Sequence, residues 1–155
     1  YIRGREVKEM KVNMFDVFYV KLPEEKCVSE QGGIRPCVII QNEAGNLYSP
    51  TVIVIPLTTE IKKINQATHC IIHKTDANGL MSDSMALAEQ VRVVDKSRLR
   101  EKIGSLDSTK EQNDIIGIYL ANVTGKKKYV PIWEKVILSI FKLVKEGNSK
   151  NDRAA

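Results

Sequence analysis

The sequence has no apolar run close to the length that crosses a membrane. A spanning helix needs roughly 20 consecutive apolar residues, whereas the hydrophobic 43% of these 155 residues falls in short runs. The first fourteen residues alternate charged and small apolar side chains without the apolar core of a signal peptide. These absences predict a cytoplasmic protein with no membrane span and no export.

Cysteine and histidine are scarce, which argues against a metal or thiol site. Cys27, Cys37 and Cys70 form no C-x-x-C pair, so reduced thiols are favoured over a disulfide framework. His69 and His73 lie four positions apart among β-branched residues. A strand would place both rings on one face, but the sequence supplies no third ligand at a useful spacing. We therefore predict no metal site and no cofactor.

Common catalytic motifs and a basic core are also missing. There is no G-x-x-x-x-G-K-[ST], G-x-G-x-x-G or G-x-S-x-G, so nucleotide hydrolysis, dinucleotide binding and the serine-hydrolase plan lack their markers. The formal net charge is +5, but residues 124–155, with eight basic and three acidic side chains, carry all of it. Total charge is therefore no argument that the folded core binds nucleic acid.

Short apolar and β-branched segments occupy most of the chain before residue 95. Polar stretches with glycine, asparagine or proline separate these segments, and the stretch at 42–50 has the composition of a turn. Short strands joined by short turns are typical of a small barrel. The predicted strands are Asp16–Leu22, Pro36–Gln41 (buried on both faces), Thr51–Thr58 (with a bulge or edge at Pro56), Thr68–His73 and Ser84–Glu89, with Gln90–Val94 either continuing or following the last of these.

Helices are predicted late in the chain. Asp95–Gly104 has an aspartate cap, a short basic body and a glycine stop. Ser108–Glu111 forms a capping box that opens a second helix, reaching about Asn122.

Residues 124–155 read as a separate extension. A lysine-rich linker precedes residues 131–146, whose apolar side chains recur at helical spacing with polar side chains opposite. This predicted amphipathic helix packs on its own core, on a sister subunit, on an acidic membrane surface or on a partner helix. The chain thus divides into a polar lead-in at 1–13, a barrel domain at 14–123 and the extension at 124–155.

The segment Ser29–Pro36 is the strongest candidate for a functional site. Two adjacent glycines within it allow a tight turn or the close approach of a ligand to the backbone. Arg35 follows them at the mouth of a buried strand, where its planar, permanently charged fork suits a phosphate group. The alternative is a structural arginine that pairs with Glu30 or Asp16.

This segment, with Gln41-Asn42 after the strand, resembles the MazF/PemK family of toxin endoribonucleases. Further blocks follow in the family's order, and together they cover roughly Met14 to Val123. These blocks are Gly45–Thr51, Pro56–Thr59, Thr68-His69, Asp83-Ser84, Glu89–Arg92 and Asp95–Leu99.

The resemblance implies both a fold and an activity. The family fold is mainly β with appended helices (α+β), an SH3-like small β-barrel of the MazF/PemK/CcdB type that works as a homodimer. The implied activity is metal-independent cleavage of single-stranded RNA at short sequences. The 2′-hydroxyl attacks the adjacent phosphate and leaves 2′,3′-cyclic phosphate and 5′-hydroxyl ends. A cognate antitoxin, acidic and partly disordered, neutralises such a toxin, and the complex of the two can bind operator DNA.

By the same resemblance, three side chains are catalytic. Arg35 neutralises charge on the phosphorane oxygens, and Thr58 donates its hydroxyl to a phosphate oxygen or holds the attacking hydroxyl. Glu30 is the candidate general base, since a guanidinium with a pKa above ~12 has almost no neutral form. The side chains expected to contact RNA are Ser29, Gln31, Gln90 and Tyr48, the last as a base-stacking residue or, alternatively, a core or hairpin residue.

Two features depart from the family pattern. Phe15 stands where the family usually has glycine, which predicts a rebuilt turn at this point, and residues 124–155 have no counterpart in the family core.

Alternative functions are a non-cleaving DNA-binding repressor subunit, a gyrase-directed toxin of the CcdB branch, or a membrane-surface or scaffold protein driven by residues 131–146. The gyrase alternative lacks support, because Leu120–Asn122 is not followed by that branch's terminal Trp-Gly-Ile.

Overall fold

The computed structural model describes residues 10–24 and 29–125, so the predicted linker and amphipathic helix after residue 125 lie outside the described residues. In these ranges no helix combines the length and apolarity needed to cross a bilayer. Two 3₁₀ turns, Ala88–Gln90 and Lys96–Arg98, join the later strands. The strands are β1 (Asp16–Leu22), β2 (Gly33–Ile39), β3 (Thr51–Thr58), β4 (His69–Ile72), β5 (Ser84–Leu87), β6 (Arg92–Asp95) and β7 (Leu99–Ser105), and the helices are α1 (Glu43–Tyr48) and α2 (Thr109–Thr124).

All strand pairs are antiparallel, and the sheet runs in the order β4-β5-β3-β2-β1-β7, with β6 also paired to β3. The end strands β4 and β7 do not pair with each other within the described part of the chain, so the sheet is barrel-like but open. Helix α2 packs beside β4 and the 3₁₀ turn at Ala88–Gln90. The predicted small-barrel fold with a following helix is confirmed.

Strand β3 organises the sheet because each of its edges meets a different neighbour. One edge pairs with β2, and the other pairs first with β6 and then with β5. The carbonyl of Ile53 accepts a hydrogen bond from the amide of Ile40. Because the backbone groups of successive strand residues point to alternate edges, those of Pro56 point to the opposite edge, which pairs with β6 and β5. Pro56 has no N–H and lies where that edge passes from β6 to β5.

The two faces of the sheet bury separate hydrophobic clusters. Val17, Val38 and Ile55 pack with Ile115 of α2 on one face, whereas the other cluster gathers buried residues of β1, β2, β3, β6 and β7 around Phe18. The end of β2 is buried on both faces, as predicted, because its alternate side chains enter different clusters.

Two local predictions are wrong. The predicted turn after β2 is helix α1, because Asn42 acts as its N-cap and accepts a hydrogen bond from the amide of Gly45 at 2.8 Å. The predicted helix at Asp95–Gly104 is only the 3₁₀ turn Lys96–Arg98, followed by β7. Pairing of β7 with β1 overrides the local helical signal there.

The second helix prediction is confirmed with one change. Helix α2 begins at Thr109, one residue after its N-cap Ser108, but the side chain of Ser108 makes no capping hydrogen bond. The helix ends at a left-handed glycine, Gly125, whose amide donates to the carbonyl of Ala121.

Phe15 occupies the left-handed region itself, with a φ of 68°. Its amide donates to the carbonyl of Ile39 at 2.8 Å, and its carbonyl accepts from the amide of Leu106 at 3.0 Å. The aromatic ring packs against the cluster that contains Val17. Non-glycine residues pay roughly 1–2 kcal/mol for this conformation. The expectation of a rebuilt turn is therefore corrected, since a glycine-like backbone persists and the ring's packing offsets its cost.

Candidate active site at the mouths of β2 and β3

The loop before β2 holds Arg35 in a defined orientation. Gly33 has a φ of 75°, which starts β2 with a left-handed residue. The half-buried side chain of Arg35 then folds back, and its Nε donates to the carbonyl of Gly32 at 2.8 Å. Neither predicted structural partner binds it, because Asp16 pairs with Lys102 and Glu30 lies beside Arg92. The terminal guanidinium nitrogens of Arg35 have no hydrogen-bond partner among the described residues, which leaves them available to an anion.

Strand alternation places Thr58 on the same face of the sheet as Arg35. Cys37 lies opposite Pro56 in the last residue pair between β2 and β3. Arg35 and Thr58 each lie two residues from this pair, so their side chains share its face. The hydroxyl oxygen of Thr58 accepts a hydrogen bond from the amide of Glu60 at 3.1 Å, so its proton remains free to donate. A fixed cation and a hydroxyl donor thus end on one face at the ends of two strands.

Gln90 ties the loop before β2 to the far side of the site. Its Nε2 donates to the carbonyl of Ser29 at 3.2 Å, and its Oε1 accepts from the amide of Gln31 at 3.3 Å. Both ends of this amide therefore hold loop backbone rather than facing solvent. The side-chain Oε1 of Gln31 is buried and lacks a hydrogen-bond partner within the described residues.

Glu30 faces an arginine that the sequence analysis did not single out. Its Oε2 lies 3.8 Å from an Nη of Arg92, and the Glu30 side chain is 49% exposed. Arg92 was part of a block used for the family resemblance, but nothing in the linear pattern gave it a role. The pairing of β6 with β3 brings Arg92 to this site, and that pairing is not visible in residue spacing.

The two arginines also lie near a buried thiol beneath the site. Burial raises the pKa of Cys37 to about 12, and the positive charges of Arg92 and Arg35 oppose this rise only in part. Burial likewise raises the pKa of Cys70 to about 12. Both thiols therefore stay protonated at neutral pH, so neither has the thiolate form that nucleophilic catalysis needs.

Tyr48 is not brought together with the other predicted residues. It ends α1, just before β3 begins, whereas Thr58 is the last residue of that eight-residue strand. At ~3.3 Å per residue the two positions are about 20 Å apart along the strand. Tyr48 is 83% exposed, which excludes the alternative of a core residue within the described chain and leaves its contact with RNA a prediction.

Each histidine contacts one carboxylate. His69 Nε2 lies 2.7 Å from Oε1 of Glu89, and His73 Nδ1 lies 2.9 Å from Oδ2 of Asp83. In residues 10–24 and 29–125, no group of three metal-ligating side chains is close enough to hold an ion.

Comparison with known proteins agrees with this architecture. Residues 13–113 match the family described as the PemK-like, MazF-like toxin of type II toxin-antitoxin systems. The chain belongs to this family. Over 94 residues it is 52% identical to Endoribonuclease MazF of Staphylococcus saprophyticus, a match that covers 59% of this chain and 78% of that relative. The predicted family membership is thus confirmed.

Solved MazF structures share the fold. The chain is similar to MazF of Deinococcus radiodurans with a TM-score of 0.62 and 18% identity, covering 76% of this chain and all of that one. A mycobacterial endoribonuclease in complex with its cognate antitoxin gives a TM-score of 0.59 and 19% identity, covering 72% and 94% of the two chains. At this identity the likeness confirms the MazF fold and leaves individual site residues to be argued from their geometry.

Proposed function

We propose that this MazF-family protein is a sequence-specific, metal-independent endoribonuclease toxin that cuts single-stranded RNA. The observation that carries the proposal is the placement of Arg35 and Thr58 on one face of the sheet, at the start of β2 and the end of β3. Arg35 is oriented through its Nε bond to Gly32, and Thr58 keeps its hydroxyl proton free. The 52% identity to a curated MazF endoribonuclease supports the same activity.

In the proposed reaction the RNA supplies its own nucleophile. The 2′-hydroxyl oxygen attacks the adjacent phosphorus while a base takes its proton, and the bond to the 5′-oxygen breaks. That oxygen leaves with a proton from solvent, which gives 2′,3′-cyclic phosphate and 5′-hydroxyl ends. The half-exposed carboxylate of Glu30 is the candidate base, because it lies in the loop that anchors Arg35 and its one ion pair within the described residues is a long contact to Arg92.

Arg35 and Thr58 stabilise the negative charge that builds up on the phosphorane. The free terminal nitrogens of Arg35 donate to two phosphate oxygens as a planar fork, and the Thr58 hydroxyl donates to one of them. Preorganised donors of this kind typically contribute 10²–10³-fold to the rate. None of these roles needs a metal ion.

Substrate selection and inhibition are proposed to use the same surface. Ser29 and Gln31 are proposed to supply hydrogen-bonding groups for unpaired bases, and Gln90 is proposed to contribute to RNA binding by holding the backbone of both residues in place. An acidic antitoxin segment that folds onto the toxin would offer carboxylates to the free nitrogens of Arg35 and so compete with RNA. We further propose a homodimer, with operator DNA bound only through the toxin–antitoxin complex.

Digestion of a long mixed-sequence RNA in EDTA tests the proposal. Mapping of the 5′ ends should show discrete cuts with 5′-hydroxyl termini, and these cuts should be lost or slowed roughly 10²–10³-fold in Arg35→Ala. Arg100→Ala is the matched control, since Arg100 is an exposed arginine of β7, and it should cut like the native protein. Failure of the folded native protein to cut any RNA would refute the activity and favour the non-cleaving alternative.

A further inference from the structure

Arg92 places a second guanidinium on the same face of the sheet as Arg35. It lies opposite Val54 in β6–β3, and Val54 lies opposite Ile39 in β3–β2. Cys37 and Arg35 follow Ile39 at alternate positions of β2, so all these side chains share one face. The positive charges of both arginines lower the pKa of the Cys37 thiol, so both lie near this side chain. The two cations therefore border a single patch.

Within residues 10–24 and 29–125, most of the N–H donors of Arg92 are unused. Its side chain is only 19% exposed, yet its ion pair with Glu30 spans 3.8 Å, beyond hydrogen-bond length. Among the described residues its guanidinium makes no hydrogen bond, although the group has five N–H donors. A mostly buried cation with spare donors favours an additional anionic ligand.

The loop geometry holds Glu30 against Arg92. The residues on either side of Glu30 are Ser29 and Gln31, and the backbone of each is hydrogen-bonded to the side chain of Gln90. Gln90 lies two residues before Arg92 on the same connection. One segment thus carries both the arginine and the anchor that brings the carboxylate to it.

We propose that Arg92 is a second phosphate site, which binds a backbone phosphate neighbouring the scissile one, and that Glu30 is its counter-ion until RNA displaces it. This inference rests on the proposed function and deepens it by adding a subsite for the RNA backbone. A phosphate fits the fork of Arg92 better than a single carboxylate oxygen at 3.8 Å does, because it can accept two parallel N–H bonds. With Glu30 still in place the two anions repel each other, so Glu30 opposes RNA binding.

The test separates binding from cleavage. The ligand is a single-stranded oligonucleotide that contains a mapped cut site with a 2′-deoxy sugar there, so the native protein binds it without cutting it. Dissociation constants are measured across a salt series. Arg92→Gln should weaken binding roughly 10-fold and reduce the salt slope by about 0.7, the value for one phosphate contact on a single strand. Arg92→Lys should keep the slope but bind less tightly, because an ammonium is not bidentate.

Glu30→Gln should change the affinity for the oligonucleotide in the opposite direction to Arg92→Gln. Removal of the counter-ion charge should tighten binding several-fold while cleavage of the all-RNA oligonucleotide slows, a combination that a purely structural contact does not produce. Arg100→Gln is the control and should change neither quantity. If Arg92→Gln fails to fold, Arg92→Lys and Glu30→Gln still decide the question.

The two proposals fail in different ways. Unchanged affinity and slope in folded Arg92→Gln, or weaker binding in Glu30→Gln, would overturn the second phosphate site even if the native protein cuts RNA. If the native protein cuts no RNA, the same salt series is run with a single-stranded RNA of mixed sequence, and a loss of slope in Arg92→Gln would leave the phosphate site standing while the proposed cleavage is overturned.

Discussion

Two acidic residues of this protein, Asp16 and Glu30, are held in opposite ways. Asp16 is 2% exposed. It lies 2.7 Å from Nζ of Lys102, accepts from the Ser105 hydroxyl at 2.7 Å and from the Asn13 amide at 2.9 Å. Glu30 is half exposed, and in the described part of the chain its one ion pair is the 3.8 Å contact to Arg92. A carboxylate whose oxygens accept several hydrogen bonds stabilises the fold. A carboxylate whose one ion pair among the described residues is long can give up that partner to a ligand.

Removing each carboxylate in turn should give the largest difference in the free energy of unfolding between the two sites. Asp16→Ala removes the buried acceptor shared by the Lys102 ammonium, the Ser105 hydroxyl and the backbone and side-chain amides of Asn13, so we expect a loss of about 3–5 kcal/mol in the free energy of unfolding. Glu30→Ala should change it by less than about 1 kcal/mol, as for exposed ion pairs. Urea unfolding at neutral pH measures both. Equal losses would mean that Glu30 is also a structural residue.

Thr58 allows the same kind of test on a hydroxyl group instead of a carboxylate. Thr58→Val keeps the side-chain volume and removes the donor, and a hydrogen bond to a charged group contributes about 1.5–3 kcal/mol. We therefore expect cleavage to slow by roughly 10- to 100-fold with little change in RNA affinity. Thr59→Val, at the exposed neighbour, is the matched control. A native rate in Thr58→Val would remove the hydroxyl from the reaction.

Individual elements and residues show how much of the fold and of the site could be predicted from the sequence alone. Strand β3 was predicted at its observed bounds because its β-branched residues and turn-forming flanks agree with its environment. Strand β7 and helix α1 were not, because pairing with β1 and capping by Asn42 decide them. The site shows the same limit, since Arg35 follows from its own loop but Arg92 reaches the site only through strand pairing.

Phe15 allows a test of backbone strain, with a smaller expected effect on stability. Phe15→Gly and Phe15→Ala both remove the ring that packs on the core, but only glycine adopts the φ of 68° freely. The glycine variant should therefore be more stable than the alanine variant by about 1 kcal/mol, measured as the difference in free energy of unfolding. Equal stabilities would show that the left-handed backbone carries no strain.

The buried thiols give the smallest expected change, through pH. Burial raises the pKa of Cys37 from 9.0 to about 12 in the folded protein, so folding favours the protonated thiol. Its contribution to stability is complete well below pH 9, begins to decrease as pH approaches 9, and is lost as pH rises through 12. Between pH 7 and 9 the expected loss is a few tenths of a kcal/mol, and Cys37→Ala should show a shallower decline. An identical pH dependence in the two proteins would contradict this assignment.

A double-mutant cycle at Arg35 and Thr58 tests the central claim most directly. Single-turnover cleavage is measured for the native protein, Arg35→Ala, Thr58→Val and the double variant, with folding checked for each. If both side chains act on one phosphate, the double variant should lose much less than the product of the two single losses. Losses that multiply would contradict the account, because they would mean that Arg35 and Thr58 act independently.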